Sequence, residues 1–317
     1  RRPRLGPTAG RAWQCERTRR TSDAAMRLGQ AGRGACYARA PMASHVEIPV
    51  LDLSLADDPT RIAGLVTELM QALAQHGFVG FRGHSVSDRQ RRAARDAVAA
   101  FFALPLAEKQ ALHDPKGGGQ RGYTPFGVEK AKDQAVADLK EFWHVGPPPE
   151  RLSPRHPPNV WPSAPEGFRA ALEDLYEALW STGRTALSLI ARGLDLEPNW
   201  FDDKVNHGET ILRPLHYPPL LGSPLETAGA VRSAAHEDIN VITLLIGSDE
   251  PGLELLRPDG SWLPITTDVD TIVCNVGDML QRLTNHRLKS TTHRVVNPPP
   301  PWSERSRYSI PFFLHFN

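Results

Sequence analysis

His236-Glu237-Asp238 sets an imidazole and a carboxylate two residues apart. On an extended strand, residues i and i+2 point to the same face, so the pair makes two corners of a metal site. The stretch Ala234-Ala235-His236-Glu237-Asp238-Ile239-Asn240-Val241-Ile242-Thr243-Leu244-Leu245-Ile246 turns apolar and β-branched after Asp238. It predicts one buried strand carrying both side chains. The third corner must come from elsewhere, and His293, opening His293-Arg294-Val295-Val296, is the candidate. Two imidazoles and one carboxylate on one face of a metal leave positions open for substrate and oxygen, which is the donor set of non-haem Fe(II) chemistry. The pair alone is a weak signal in a chain with 12 His, which also holds His45-Val46-Glu47 and His207-Gly208-Glu209. A buried, salt-bridged His–Asp pair is the competing packing role. His286, in the polar run Thr284-Asn285-His286-Arg287, is expected in solvent.

A second constellation follows. In Arg307-Tyr308-Ser309 the two polar residues are again i and i+2, so both can face an interior. A guanidinium and a hydroxyl aimed together can hold a carboxylate, with Arg supplying a bidentate clamp. Burying Arg307 without an anion would be costly, and its competing role is a surface-strand arginine.

The elements that must position these residues fall into two textures. A short strand begins at Val46 and runs through Ile48-Pro49-Val50-Leu51-Asp52-Leu53. A helix follows over 59–75, with Ile62, Leu65, Val66, Leu69 and Leu73 as its buried stripe and Gly77 at its C-terminal cap. Phe78–Phe81 reads as a strand, 88–103 as a helix capped by Ser87, and 105–113 as a short helical piece. The loop 116–123 carries three consecutive glycines but no phosphate-binding pattern, and suits the mouth of a site. Eight prolines in 147–165 make an irregular connector, and an amphipathic helix runs over 165–193. From Thr210 onward come short strands, at 210–217, 239–246, 253–256, 262–265, 271–275, 293–296 and 307–316. Many short antiparallel strands at close spacing suggest a jelly roll or barrel.

Composition bounds the function. The net charge of +1 hides an asymmetry: residues 1–41 hold ten Arg against two acids, so the remaining 276 residues carry −7. A mildly acidic body gives no nucleic-acid footprint, and no apolar run reaches membrane-spanning length. Residues 1–41 read as a basic tail without hydrophobic periodicity, either sequence ahead of a start at Met42 or, as the lesser alternative, an organellar targeting segment. Only Cys274 lies in the body, beside Cys15 and Cys36 in the tail, which suggests a reducing, cytoplasmic setting.

The set Leu215-His216-Tyr217-Pro218, His236-Glu237-Asp238, Asn275-Val276-Gly277-Asp278, Lys289–Val295 and Arg307–Phe313 resembles the isopenicillin N synthase-like branch of the 2-oxoglutarate/Fe(II)-dependent dioxygenases. Ile48–Leu53 and Gly77-Phe78 resemble that branch's N-terminal region. The likeness covers nearly everything from residue 46 onward. It implies an α+β fold with a double-stranded β-helix (jelly roll) core, flanking helices and an N-terminal α/β subdomain. The expected division is a tail to 41, an N-terminal subdomain over 42–146, a connector and long helix over 147–204, and the jelly roll over 205–317. The resemblance implies Fe(II) held by His236, Asp238 and His293. It also implies 2-oxoglutarate held through its distal carboxylate by Arg307 and Ser309, with Tyr217 as a further donor. O2 would be the oxidant, 2-oxoglutarate would be converted to succinate and CO2, and a small organic substrate would be hydroxylated, desaturated or cyclised. No protein partner is predicted. Tyr123, Phe126, Phe142 and Phe313 are candidates to line the substrate pocket, each against a packing role. The chain departs from many plant members at Leu215 and His216, where they carry Asn and Tyr. It also ends at Asn317, just after the last strand, where relatives usually continue. Alternatives are an oxidase of the isopenicillin N synthase or amino-cyclopropane oxidase type that does without 2-oxoglutarate, a non-catalytic ligand-binding jelly roll, or hydrolytic Zn chemistry in a related barrel.

Overall fold

The computed structural model describes residues 48–129, 138–220, 230–247 and 250–317; the basic segment 1–41 and the start of the first strand at Val46 lie outside them. The chain begins as a βαβ unit: β1 (Val50–Asp52), α1 (Ile62–Gln75) and β2 (Phe78–Arg82), with β1 parallel to β2. α1 buries Leu65, Leu69 and Leu73 of the expected stripe together with Ala72, while Ile62 and Val66 are half-buried. Gly77 takes φ +70, and a Cβ there would collide with Lys289 O and Thr291 Oγ1, so only glycine lets this turn meet the 289–291 loop. Next come α2 (Asp88–Phe102), opened by a Ser87–Gln90 capping box, and α3 (Leu106–Gln110).

β3 (Gly122–Thr124) and β4 (Glu141–His144) form an antiparallel pair that periodicity did not predict. All four β4 residues are buried, so no polar alternation marks it. α4 (Phe168–Gly193) follows the proline-rich connector and packs on α1 and α2 and across the sheet. α5 (Asp202–Val205) then leads to β5 (Ile211–Leu212) and β6 (Leu215–Tyr217). The expected strand over 210–217 is split at Pro214, which has no N–H to donate, and its halves join different sheets.

The remaining elements are β7 (Ser233–His236), β8 (Ile242–Ile246), β9 (Leu253–Leu256), β10 (Trp262–Pro264), β11 (Ile272–Val276), α6 (Asp278–Leu283), β12 (His293–Val295), β13 (Arg307–Ser309) and β14 (Pro311–Leu314). Among the described residues three sheets result, ordered β1-β2-β11-β8-β14-β5, β10-β9-β12-β7 and β13-β6-β4-β3. The core is a jelly roll, and β1 and β2 extend its larger sheet, so Val46–Asn317 is one compact unit. Among the described residues, no helix is long and apolar enough to cross a membrane.

Two more expected strands are corrected by this topology. The segment 234–246 is not one strand: β7 ends at His236 in the smaller sheet, β8 starts at Ile242 in the larger, and Asp238 sits in the crossing turn. Likewise 307–316 breaks at Ile310, with β13 and β14 in separate sheets.

Candidate active site

The turn after β7 is held from below. Asp278 N donates to Asp238 O at 2.7 Å, Gly277 N to Val241 O at 2.9 Å and Met279 N to Asn240 O at 3.1 Å. A Cβ on Gly277 would collide with Asn240 O, so the Asn275-Val276-Gly277-Asp278 run is the seat of that turn. Asp238 therefore faces the cavity by turn geometry, not by strand alternation.

β7 pairs antiparallel with β12, and His236 lies opposite His293. Their ring centroids are 4.5 Å apart. His236 Nε2 is 3.7 Å and His293 Nε2 3.8 Å from Asp238 Oδ1, and one ligand atom of each residue lies within 4.8 Å of the others. His236 Nδ1 donates to Ala234 O at 2.8 Å and His293 Nδ1 to Thr291 O at 3.1 Å. Both Nε2 lone pairs are thus left for a shared centre. Asp238 Oδ2 accepts from Thr243 Oγ1 at 2.5 Å and Asn275 Nδ2 at 2.8 Å, leaving Oδ1 toward the imidazoles. Burial opposes ionisation of Asp238, but the two imidazoles with Thr243 and Asn275 hold its pKa below the usual carboxylate range. Burial, then the neighbouring His293, lowers the pKa of His236. Two imidazoles with Nε2 turned to a shared centre and a carboxylate, each fixed by an outer hydrogen bond, fit a divalent iron.

A cavity of about 410 Å³ opens over this triad. Tyr217, Ser309 and Phe313 line it with the three ligand residues. β13 pairs with β6 so that Arg307 lies opposite Tyr217 and Ser309 opposite Leu215. Arg307 is buried, with its Cζ 5.3 Å from the Tyr217 ring centroid. Tyr123, Phe126 and Phe142 are not among the cavity's lining residues. Tyr123 donates to the buried Glu141, Phe126 lies edge-on to His216, and Phe142 packs with Leu215 and Tyr217. His216 itself bonds Glu141 and Ser306, in keeping with a supporting role. His286 is exposed, as expected.

Sequence reasoning missed an ionic wall. Arg213 lies between the rings of Phe142 and Phe313, its Cζ 4.8 and 5.1 Å from their centroids. Its Nε donates to His144 Nε2, whose Nδ1 donates to Gly119 O. His144 is therefore neutral; burial and then the Arg213 charge push its pKa well down. Arg213 Nη1 reaches Glu129 at 3.3 Å, Glu129 pairs with Lys140 at 2.8 Å, and Lys140 pairs with Asp138 at 2.8 Å. Asp138 accepts from Ala234 N at 3.1 Å, tying the wall to β7. Partners so far apart in sequence leave no spacing pattern. The three charged residues Asp138, Lys140 and Glu141, interrupted by Leu139, are the one visible hint.

A jelly roll whose strand ends bring two imidazoles and a carboxylate to the mouth of a cavity defines a metal-dependent oxygenase scaffold. Residues 206–316 match the 2OG-Fe(II) oxygenase superfamily, and residues 48–164 match the family described as non-haem dioxygenase in morphine synthesis N-terminal. A 2-oxoglutarate-Fe(II) type oxidoreductase of Emericella nidulans is 32% identical over 287 residues, covering 85% of this chain and 79% of that protein. A 2OG-Fe(II) oxygenase family protein of Caulobacter crescentus is 43% identical, with TM-score 0.75 over 85% of this chain and 86% of that one. A Neurospora crassa protein, solved in complex with alpha-KG and thymine, is 30% identical, with TM-score 0.76 over 85% of this chain and 86% of that one. The chain belongs to the 2OG-Fe(II) oxygenase superfamily. It is an Fe(II)/2-oxoglutarate-dependent dioxygenase, an oxidoreductase that uses O2.

Proposed function

We propose that this dioxygenase oxidises a small, polar, hydrogen-bonding organic molecule. In this reading His236, Asp238 and His293 hold the iron, and Arg307, Ser309 and Tyr217 hold the distal carboxylate of 2-oxoglutarate. Fe(II) supplies the oxygen activation that side chains cannot. The chain's own groups do the rest. Ala234 O and Thr291 O fix both imidazoles as Nε2 donors. Thr243 and Asn275 keep the Asp238 carboxylate ionised and aimed. Ser309 lines the cavity with Leu245, Leu253 and Val295, and Arg307, two residues before it on β13 and buried beside Tyr217, would orient the co-substrate with it.

The observation that carries the triad assignment is the convergence of two Nε2 lone pairs on one carboxylate oxygen at 3.7 and 3.8 Å. Substrate size and polarity are supported by the outer wall. Phe313 offers an apolar face, while Arg213 and Glu129 offer a donor and an acceptor edge. A relative bound to thymine, a small ring edged with amide groups, suits the same chemistry. The test is 2-oxoglutarate-dependent succinate release across a panel of nucleobases, amino acids and purely apolar acids. Turnover raised by polar ring compounds and lost in His293→Ala supports the reading. Stimulation by apolar acids alone, undiminished in Arg213→Gln, would refute the substrate class.

A further inference from the structure

Behind the lining residues Tyr217 and Ser233 lie two buried arginines that are not themselves in the cavity's lining. Arg232 is 1% exposed and Arg307 4% exposed. Both guanidiniums rest near the Tyr217 ring, with Arg232 Cζ at 5.8 Å and Arg307 Cζ at 5.3 Å from its centroid. Arg232 directly precedes β7, four residues before His236, so its Cα lies about 13 Å along extended chain from the metal end. The next residue, Ser233, lines the cavity.

Few groups answer these N–H donors. Arg232 Nε and Arg307 Nε and Nη1 are buried without a hydrogen-bond partner among the described residues. Arg232 Nη2 reaches Arg305 O only at 3.5 Å, the outer limit of a hydrogen bond. Glu250 supplies a carboxylate 3.9 Å from Arg307 Nε and 3.7 Å from Arg95 Nη2. Among the described residues, three guanidiniums thus lie about this one carboxylate. Burial, then Arg307, lowers the pKa of Arg232 to about 10, which leaves it charged at neutral pH. Charged groups this buried are costly unless an anion with several acceptor lone pairs joins them.

We propose that Arg232 is a second anchor for the distal carboxylate of 2-oxoglutarate, which would lie between two guanidiniums beside Tyr217. This rests on the assignment of Arg307 and Ser309 above. A carboxylate has two oxygens and about four acceptor sites, enough for the unanswered donors of both arginines. Two anchors also set specificity: they reward a dicarboxylate and leave a 2-oxo acid without the distal carboxylate poorly held.

The test is calorimetric titration of the full chain loaded with redox-inert Zn(II), with 2-oxoglutarate and with 2-oxopentanoate, which is of equal length but lacks the distal carboxylate. For Arg232→Met, the Kd for 2-oxoglutarate should rise about tenfold or more, while that for 2-oxopentanoate changes less than about twofold. Equal changes for both acids, or none for either, would overturn the inference and leave Arg232 a packing residue. Should Arg232→Met not fold, Arg232→Lys is read the same way. It keeps the charge but loses the planar fork, and a smaller loss confined to 2-oxoglutarate is expected. Arg307→Met runs in parallel. If it spares the discrimination, the Arg307–Ser309 assignment itself fails; if it abolishes the discrimination and Arg232→Met does not, only the present inference fails.

Discussion

Thr243→Val is the sharpest perturbation of the metal site, because it removes the one hydrogen bond that Thr243 gives Asp238, together with the bond it accepts from Asn240, and almost no volume. The Thr243 hydroxyl accepts from Asn240 Nδ2 at 2.9 Å, so its proton is committed to Asp238 Oδ2 at 2.5 Å. Asn240 keeps its bond to Ile242 O at 3.0 Å in the variant, which limits collateral damage. Asp238 is left with Asn275 as its one side-chain donor, at 2.8 Å. A buried hydrogen bond to a charged group is worth about 1.5–3 kcal/mol, and loss of an outer partner costs about 10–100-fold in metal affinity, roughly 1.4–2.7 kcal/mol. The two ranges agree. The assay is competition between the protein and a chromophoric chelator for Zn(II) at several pH values. Because Thr243 helps hold the Asp238 pKa down, its loss moves proton competition to higher pH. The deficit should therefore widen as pH falls toward the carboxylate range. An affinity within about twofold of wild type in a folded variant, or a deficit flat in pH, would refute the role assigned to this hydroxyl.

Gly77→Ala should destabilise by about 2 kcal/mol or more, read in denaturant melts. It strains a φ of +70 and drives a methyl into Lys289 O and Thr291 Oγ1, on the loop that leads to His293. Arg213→Gln should raise the substrate KM about tenfold or more while leaving 2-oxoglutarate binding within about twofold, checked by steady-state kinetics beside calorimetry. Stability should fall below about pH 6.5, because the unfolded chain takes up protons that buried His144 and His315 refuse. The pKa of His315 is lowered to about 4, chiefly by burial. Its contribution is whole above the unfolded pKa and declines as pH drops toward the folded value, reaching a loss of about 2 kcal/mol at pH 5. His315→Gln should flatten that slope in melts at about pH 7 and about pH 5. Cys274 is fully buried with its thiol pKa raised by burial, so it should resist alkylation in the native state and react only on unfolding, as mass spectrometry would show.

What was legible in the sequence divides by the range of the interaction. The Ser87 cap and most of the α1 stripe are local patterns and lie where their spacing indicates, whereas of the Arg307/Ser309 pair only Ser309 lines the cavity. The strand through 234–246 was misread because its composition stays β-like across the turn. What breaks it is the hold of Gly277, Asp278 and Met279 on 238–241, which no window around Asp238 contains. β3 and β4 escaped because both are buried on each face, and Arg213–Glu129–Lys140–Asp138 escaped because ion pairs between distant segments have no period.

The same division explains how the site works. His236 ends β7, His293 begins β12, and Asp238 occupies a crossing between sheets, so all three ligands sit where strands stop. A strand interior commits its backbone to neighbours on both sides. At these ends each histidine Nδ1 folds back on the carbonyl two residues before it, Ala234 O for His236 and Thr291 O for His293. The geometry that holds each imidazole is thus local, whereas the geometry that brings the three ligands together is the register of β7 against β12 and the seat beneath Asp238. A substitution at Gly277 should accordingly scatter the ligands without touching any of them, and one at Thr243 should weaken the metal without moving the fold.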